Sequence, residues 1–245
     1  MKISDINSAI LEKFRKGTVI PAVPLALTEK REFDKRRQEA LVRYYMDAGA
    51  GGFAIGVHST QFAIRDCGLF EPVLSCASEA ADRWSKKTGN AVFKISGVCG
   101  KTEQAVEEAK FAVNTGYHAS LLSLAAMKGA GISELVDHCA KVAEEIPIIG
   151  FYLQPAVGGM ELPYRFWEEF AKIPNVLGIK IAPFNRYKTL DVVRALCKAG
   201  KENDVTLYTG NDDTIVTDLL TEYKINVNGS YKKVRIKGEI GRAHV

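Results

Sequence analysis

The sequence predicts an α/β protein built as a (β/α)8 barrel. Three observations carry this. Apolar runs of strand length recur roughly every 30 residues, and each is followed by a stretch of helical periodicity. The runs are near-continuously apolar, as parallel strands covered on both faces must be. No linker or break in composition divides the 245 residues. The absence of a glycine fingerprint after the first run argues against a doubly wound dinucleotide fold.

The elements follow in order. "TVIPAV" is the first strand, and the helix from Asp34 to Asp47 after it ends at Gly49. "GGFAIGV" leads to a helix through "PVLSCASEAADRWSKK". "AVFKISGV" leads to "TEQAVEEAKFAVN", with Thr102 as the expected N-cap. "HASLLSL" precedes "ISELVDHCAKVAEE". "PIIGFYL" precedes "PYRFWEEFAKI", where Pro163 suits a first helical turn. "VLGIKIA" precedes "KTLDVVRALCKA", and "VTLYTGN" precedes "DDTIVTDLLTEY". Asp212 and Asp213 read as caps of that last helix. These seven βα units assign residues 1–223 to the barrel.

Composition excludes several classes of function. The chain is 47% hydrophobic and 25% charged, and its net charge is only +4 with acids and bases interspersed. No basic stripe for nucleic acid is present. The opening residues show no apolar signal core, and no run approaches membrane length. Five cysteines are scattered without a CxxC pair. Together these predict reduced thiols in a cytoplasmic protein that binds neither nucleic acid nor membrane.

One residue conflicts with its surroundings. Lys180 sits inside the apolar run "VLGIKIA". A lysine in a buried strand is costly unless it is paired, deprotonated or used. It could be a core lysine with a carboxylate partner, or could face the helix layer. It could also be a free amine at the mouth of the barrel, where the chemistry of this architecture lies. Such an amine attacks a ketone to form a Schiff base. Tyr152 lies one βα unit earlier, on the neighbouring strand. If both side chains point inward they share a cavity, and the phenol can carry protons. The hydroxyls of Ser59 and Thr60 could hold a substrate carboxylate. His58 has no partners at ligand spacing, so no metal is expected there, and a substrate contact or a structural role remains. "GVCGKT" lacks the first glycine of a phosphate loop and is rejected.

Three segments resemble the dihydrodipicolinate synthase/N-acetylneuraminate lyase family of class I aldolases. "GIKIA" is similar to the family's Schiff-base segment. "GFYLQPAVGG" is similar to its "YNxPxxTG" segment, with Tyr152, Pro155 and Gly158 or Gly159 in place. "YTGNDD" is similar to its "SGxDD" segment. The opening "IPAVPLALTEKREFD" also fits. The resemblance implies a barrel, catalytic Lys180 and Tyr152, and substrate binding by His58, Ser59, Thr60, Gly210 and Asn211. It further implies pyruvate or a related 2-oxo acid as substrate, no metal or other cofactor, and a homo-oligomer, usually a tetramer.

The chain also departs from the family. "GVHSTQF" stands where members carry Gly-Thr-Thr-Gly-Glu, so Ser59-Thr60 or Val57-His58 takes the place of the threonines. "AAMKG" has no tyrosine pair, and "AVGG" lacks the arginine that binds a second carboxylate. The expected function is therefore a Schiff-base lyase. A dehydratase or hydratase of sugar-derived 2-oxo acids and a non-catalytic metabolite-binding barrel are the alternatives.

The tail is expected to be irregular. "KINVNGSYKKVRIKGEIGRAHV" is polar and turn-rich, and shows neither an eighth strand nor the C-terminal helices of the family. "IGRAHV" also matches a translated sequencing adapter. The chain thus reads as a C-terminally truncated barrel with artefactual last residues. Strands 1 and 7 would have unpaired edges, residues 239–245 would pack against nothing, and the chain would be poorly soluble and inactive.

Overall fold

The computed structural model describes residues 1–241. All seven expected strands form: β1 (Val19–Pro21), β2 (Gly52–Ile55), β3 (Phe93–Val98), β4 (Ala119–Leu122), β5 (Ile148–Leu153), β6 (Val176–Ala182) and β7 (Thr206–Thr209). The helices are α1 (Ser8–Lys16), α2 (Lys35–Asp47), α3 (Phe70–Thr88), α4 (Thr102–Asn114), α5 (Ile132–Glu145), α6 (Tyr164–Phe170), α7 (Arg186–Lys198) and α8 (Ile215–Leu220).

The tail departs from expectation. Tyr223–Val227 (β8) and Ser230–Val234 (β9) pair antiparallel. The turn between them is Asn228-Gly229, both at positive φ, the favoured chemistry of a two-residue hairpin. Its polarity reflects a sheet that is largely open to solvent rather than an absence of structure. Lys232 anchors it by donating to the Cys197 carbonyl at 3.0 Å and pairing with Glu202 at 2.7 Å.

Gly238–Gly241 (β10) then takes the eighth strand position. It pairs in parallel with β1, Val19 opposite Glu239, and with β7, Tyr208 opposite Gly238. The eighth strand is therefore present, and residues 239–241 pack where none was expected. Two glycines in four residues hid it. Gly238 is required, because a Cβ there would run into the Thr18 backbone and the Tyr208 ring. The expectation for residues 242–245 lies outside the described residues. The sheet order is β1-β10-β7-β6-β5-β4-β3-β2. One bridge, Ala22 to Ala54, brings its two ends together.

Side chains alternate between two apolar layers, as strand geometry dictates. Ile20, Ile95, Leu121, Ile149 and Phe151 fill the barrel interior. Ile55, Leu122, Tyr152, Ile179 and Leu207 pack against the helices. Phe14 of α1 plugs the end where the strands begin. It is fully buried, with the rings of Phe93 and Tyr208 at 4.7 and 4.8 Å.

Two expected caps differ. Lys101 is the N-cap of α4, while the Thr102 hydroxyl bonds His138 Nδ1 at 2.9 Å. Thr214, not Asp212 or Asp213, is the N-cap of α8.

A buried ion pair ties the β2–α3 loop to the barrel. Arg65 makes two 2.8 Å bonds to the Glu108 carboxylate. It also donates to the Gly56 and Gly97 carbonyls and stacks on Phe70 at 4.4 Å. Glu108 accepts further bonds from Cys99 N and Gln104. Removing one partner strands a buried charge. Glu108→Ala should therefore cost about 3–5 kcal/mol, read as a lower midpoint in urea unfolding.

Candidate functional site

Lys180 faces the barrel interior, between outward-facing Ile179 and Ile181. It lines a cavity of about 220 Å³ with His58, Ser59, Gln61, Phe151, Gln154, Phe184, Gly210 and Asp212 among others. The lysine is only 8% exposed, and among the described residues it forms no ion pair. Its nitrogen lies 4.5 Å from the centroid of the Phe151 ring. Burial lowers its pKa from 10.5 to about 8, against the opposing pull of Glu239 and Asp212. A useful share of the amine is thus unprotonated near neutral pH.

The strand lysine Lys94 shows the ordinary solution to the same problem. It points outward from β3, where its ammonium meets the Asp82 carboxylate and the Ser78 hydroxyl. Lys180 has no such arrangement.

The groups around Lys180 are fixed by backbone constraints. Gly210 leaves room for it, since a Cβ there would lie 2.5 Å from Lys180 Cε. Asn211 is buried and holds the loops together. Its Oδ1 accepts from Phe184 N at 2.9 Å, and its Nδ2 donates to Asp218 and Thr189. It is thus a framework residue rather than a wall of the cavity. Two non-glycine residues lining the cavity, Gln61 and Phe184, have φ of 79° and 51°. Strain of this kind persists only where the surroundings enforce it, and it clusters at functional sites.

The structure separates the other expected site residues. His58 and Ser59 line the cavity. Thr60 does not: it is fully buried, its hydroxyl donates to the Val23 carbonyl at 2.6 Å, and it accepts from Gly56 N at 3.0 Å. Its hydrogen is committed to joining the ends of two strands. Tyr152 faces the wrong way. Phe151 is the register partner of Lys180, so the next residue must point to the opposite face. Tyr152 lies against Trp167, with ring centroids 5.3 Å apart, and its hydroxyl accepts from Leu162 N at 3.4 Å. Burial raises its pKa. The expected Tyr152–Lys180 pair is not formed.

Sequence reasoning missed Phe151, Gln61, Gln154, Phe184 and Glu239. The Glu239 carboxylate crowds Gly241 beside Asp212, and burial raises its pKa to about 7. Parity counted from Lys180 could have found Phe151. No signal marked the others. Among the described residues no group of three or more His, Cys, Asp or Glu side chains could hold a metal. None of their helices is long and apolar enough to cross a membrane.

The fold and site together define a parallel (β/α)8 barrel with a buried, desolvated lysine near the C-terminal end of its sixth strand. The model of the dihydrodipicolinate synthetase family matches residues 15–223, and the chain belongs to that family. It is similar to the 4-hydroxy-tetrahydrodipicolinate synthase of Halorhodospira halophila, 25% identical over 203 residues. That match covers 81% of this chain and 64% of the relative. The chain thus spans less than two thirds of the length of this curated relative. Dihydrodipicolinate synthase from Acinetobacter baumannii, solved in complex with pyruvate, superposes with a TM-score of 0.73 at 19% identity, over 94% of this chain and 70% of that one. N-acetylneuraminate lyase from Mycoplasma synoviae gives 0.71 at 17% identity, over 94% and 70%. At these identities the superpositions establish the barrel.

Two outcomes test the site's geometry. The Lys180 pKa is lower folded than unfolded, so at pH 7 the folded state bears the cost of a buried charge. That cost fades as pH rises through about 8 toward 10.5. Lys180→Met should therefore raise unfolding free energy by on the order of 3 kcal/mol at pH 7, with the gain shrinking above pH 8 in parallel denaturation series. Tyr152→Phe should leave any Lys180 chemistry within a few-fold of the parent, as single-turnover rates would show.

Proposed function

We propose that the chain is a Schiff-base-forming lyase acting on pyruvate or a related 2-oxo acid, with Lys180 as the nucleophile. One observation carries the reading: a buried amine with a lowered pKa, with no carboxylate bonded to it among the described residues, faces a cavity at the C-terminal mouth of the barrel. Attack on the 2-oxo carbon and loss of water give an imine, which draws electrons from the adjacent carbon and permits bond cleavage or formation there. Family membership supports the lyase class, and pyruvate bound to the Acinetobacter relative supports the substrate. Ser59 and backbone N–H groups are the available holders of the substrate carboxylate. A cytoplasmic homo-oligomer accords with the family, and free thiols fit that compartment.

A second reading stays within the same chemistry. Lys180 is the only Lys or Arg among the described residues lining the cavity. A second substrate carboxylate would lie there without a cation, which is costly. This favours a dehydration or hydration substrate, or a neutral aldehyde, over aspartate semialdehyde.

Borohydride reduction in the presence of pyruvate should fix a mass gain on the peptide that contains Lys180, and Lys180→Ala should abolish it. An unchanged adduct in that variant would remove Lys180 from the reaction. In a turnover comparison, aspartate semialdehyde should be a poorer acceptor than a neutral aldehyde.

A further inference from the structure

Imine chemistry needs a group that gives a proton to the departing oxygen and takes one from carbon. Among the described residues the inner face offers no phenol for this. Phe151 holds the position opposite Lys180, and Tyr152 is turned to the helix layer. Tyr208 faces inward, but its hydroxyl is spent on the Phe14 carbonyl at 2.7 Å, at the plugged end of the barrel. Of the described residues lining the cavity, only Lys180, Asp212 and His58 carry ionisable groups; Glu239, packed against Gly241 beside Asp212, stands behind that lining. An imidazole carries a donor and an acceptor nitrogen on one ring. It serves as acid and base near neutral pH.

His58 is also placed on an immobilised segment. Its turn follows β2 directly. Thr60, two residues on, is bonded to Val23 and Gly56. Gln61 is held at positive φ. Arg65 fastens the far side of the loop to Gly56, Gly97 and Glu108. The imidazole is exposed to the cavity mouth, with the Phe62 ring at 6.0 Å.

We propose, on the reading of Lys180 as the imine-forming amine, that His58 is the acid–base catalytic residue of this site. Lys180 Nζ attacks the 2-oxo carbon; the N–C bond forms, the carbonyl π pair moves to oxygen, and a proton passes from nitrogen to that oxygen. Protonated His58 gives its proton to the hydroxyl, the C–O bond breaks, water leaves, and the nitrogen lone pair closes the iminium. Neutral His58 then takes a proton from the adjacent carbon. That C–H pair becomes the C=C bond of an enamine, and the iminium π pair returns to nitrogen. His58 ends protonated as it began, so no further reactant is needed.

The test is exchange of the pyruvate methyl protons for deuterium in D₂O, followed by NMR, alongside borohydride trapping after long incubation. His58→Gln should still yield the Lys180 adduct but exchange about 10²–10⁴-fold more slowly than the parent. Added imidazole should restore part of the exchange in His58→Ala. Exchange in His58→Gln within threefold of the parent overturns the proposal. So does a larger loss in Asp212→Asn, which would give the role to that carboxylate. Loss of the adduct in both His58 variants would make His58 a shaper of the cavity and overturn it too. Absence of an adduct in the parent overturns the imine reading, and this proposal with it.

Discussion

The site depends on one constraint: an amine buried at the barrel mouth with no counter-charge bonded to it among the described residues. Desolvation favours the neutral form of Lys180. A carboxylate bonded to it, of the kind Asp82 gives Lys94, would lock it as an ammonium and end its use as a nucleophile. The neighbours of Lys180 suit this need. Phe151 gives a ring face rather than a charge, and Gly210 gives space rather than a side chain. Asn211 keeps the β7 loop from moving onto the lysine by bonding Phe184 and Asp218. The cost of burying the amine falls on the whole fold, and the apolar layers on both faces of the sheet offset it.

Much of the barrel was legible because its signal is repetitive. Seven apolar runs fell on seven strands, and Lys180 was conspicuous as a charge in one of them. Orientation was not legible. β5 is buried on both faces, so nothing in "PIIGFYL" distinguishes inward from outward residues. Its parity is set by the register with β6, which shifts at Ile148/Ile149. A one-residue difference exchanges Tyr152 for Phe151. The family-like spacing identified the tyrosine but could not turn it.

The other misses have the same local character. Thr60 and Asn211 are polar residues beside the site whose bonding groups are committed to the framework, and hydrogen-bond partners cannot be read from composition. The hairpin was hidden by a polar pattern despite its Asn228-Gly229 turn, and β10 by its brevity and glycines. Both show that an element near the end of a chain can rest on the surface its neighbours offer rather than on its own apolar content.

The junction of β1 and β2 has a mechanical consequence. Every other neighbouring pair in the ring has at least two ladder partners. Here one bridge is reinforced by the Val23 N to Ala54 carbonyl bond and by Thr60 reaching across to Val23. A ring under thermal load opens first where the fewest bonds must break together. The seam therefore acts as the barrel's expansion joint, and it lies next to the His58–Gln61 turn. Fluctuations there would change the width of the mouth and the admission of water, while the opposite wall, with Lys180 on its long β6 ladder, stays still.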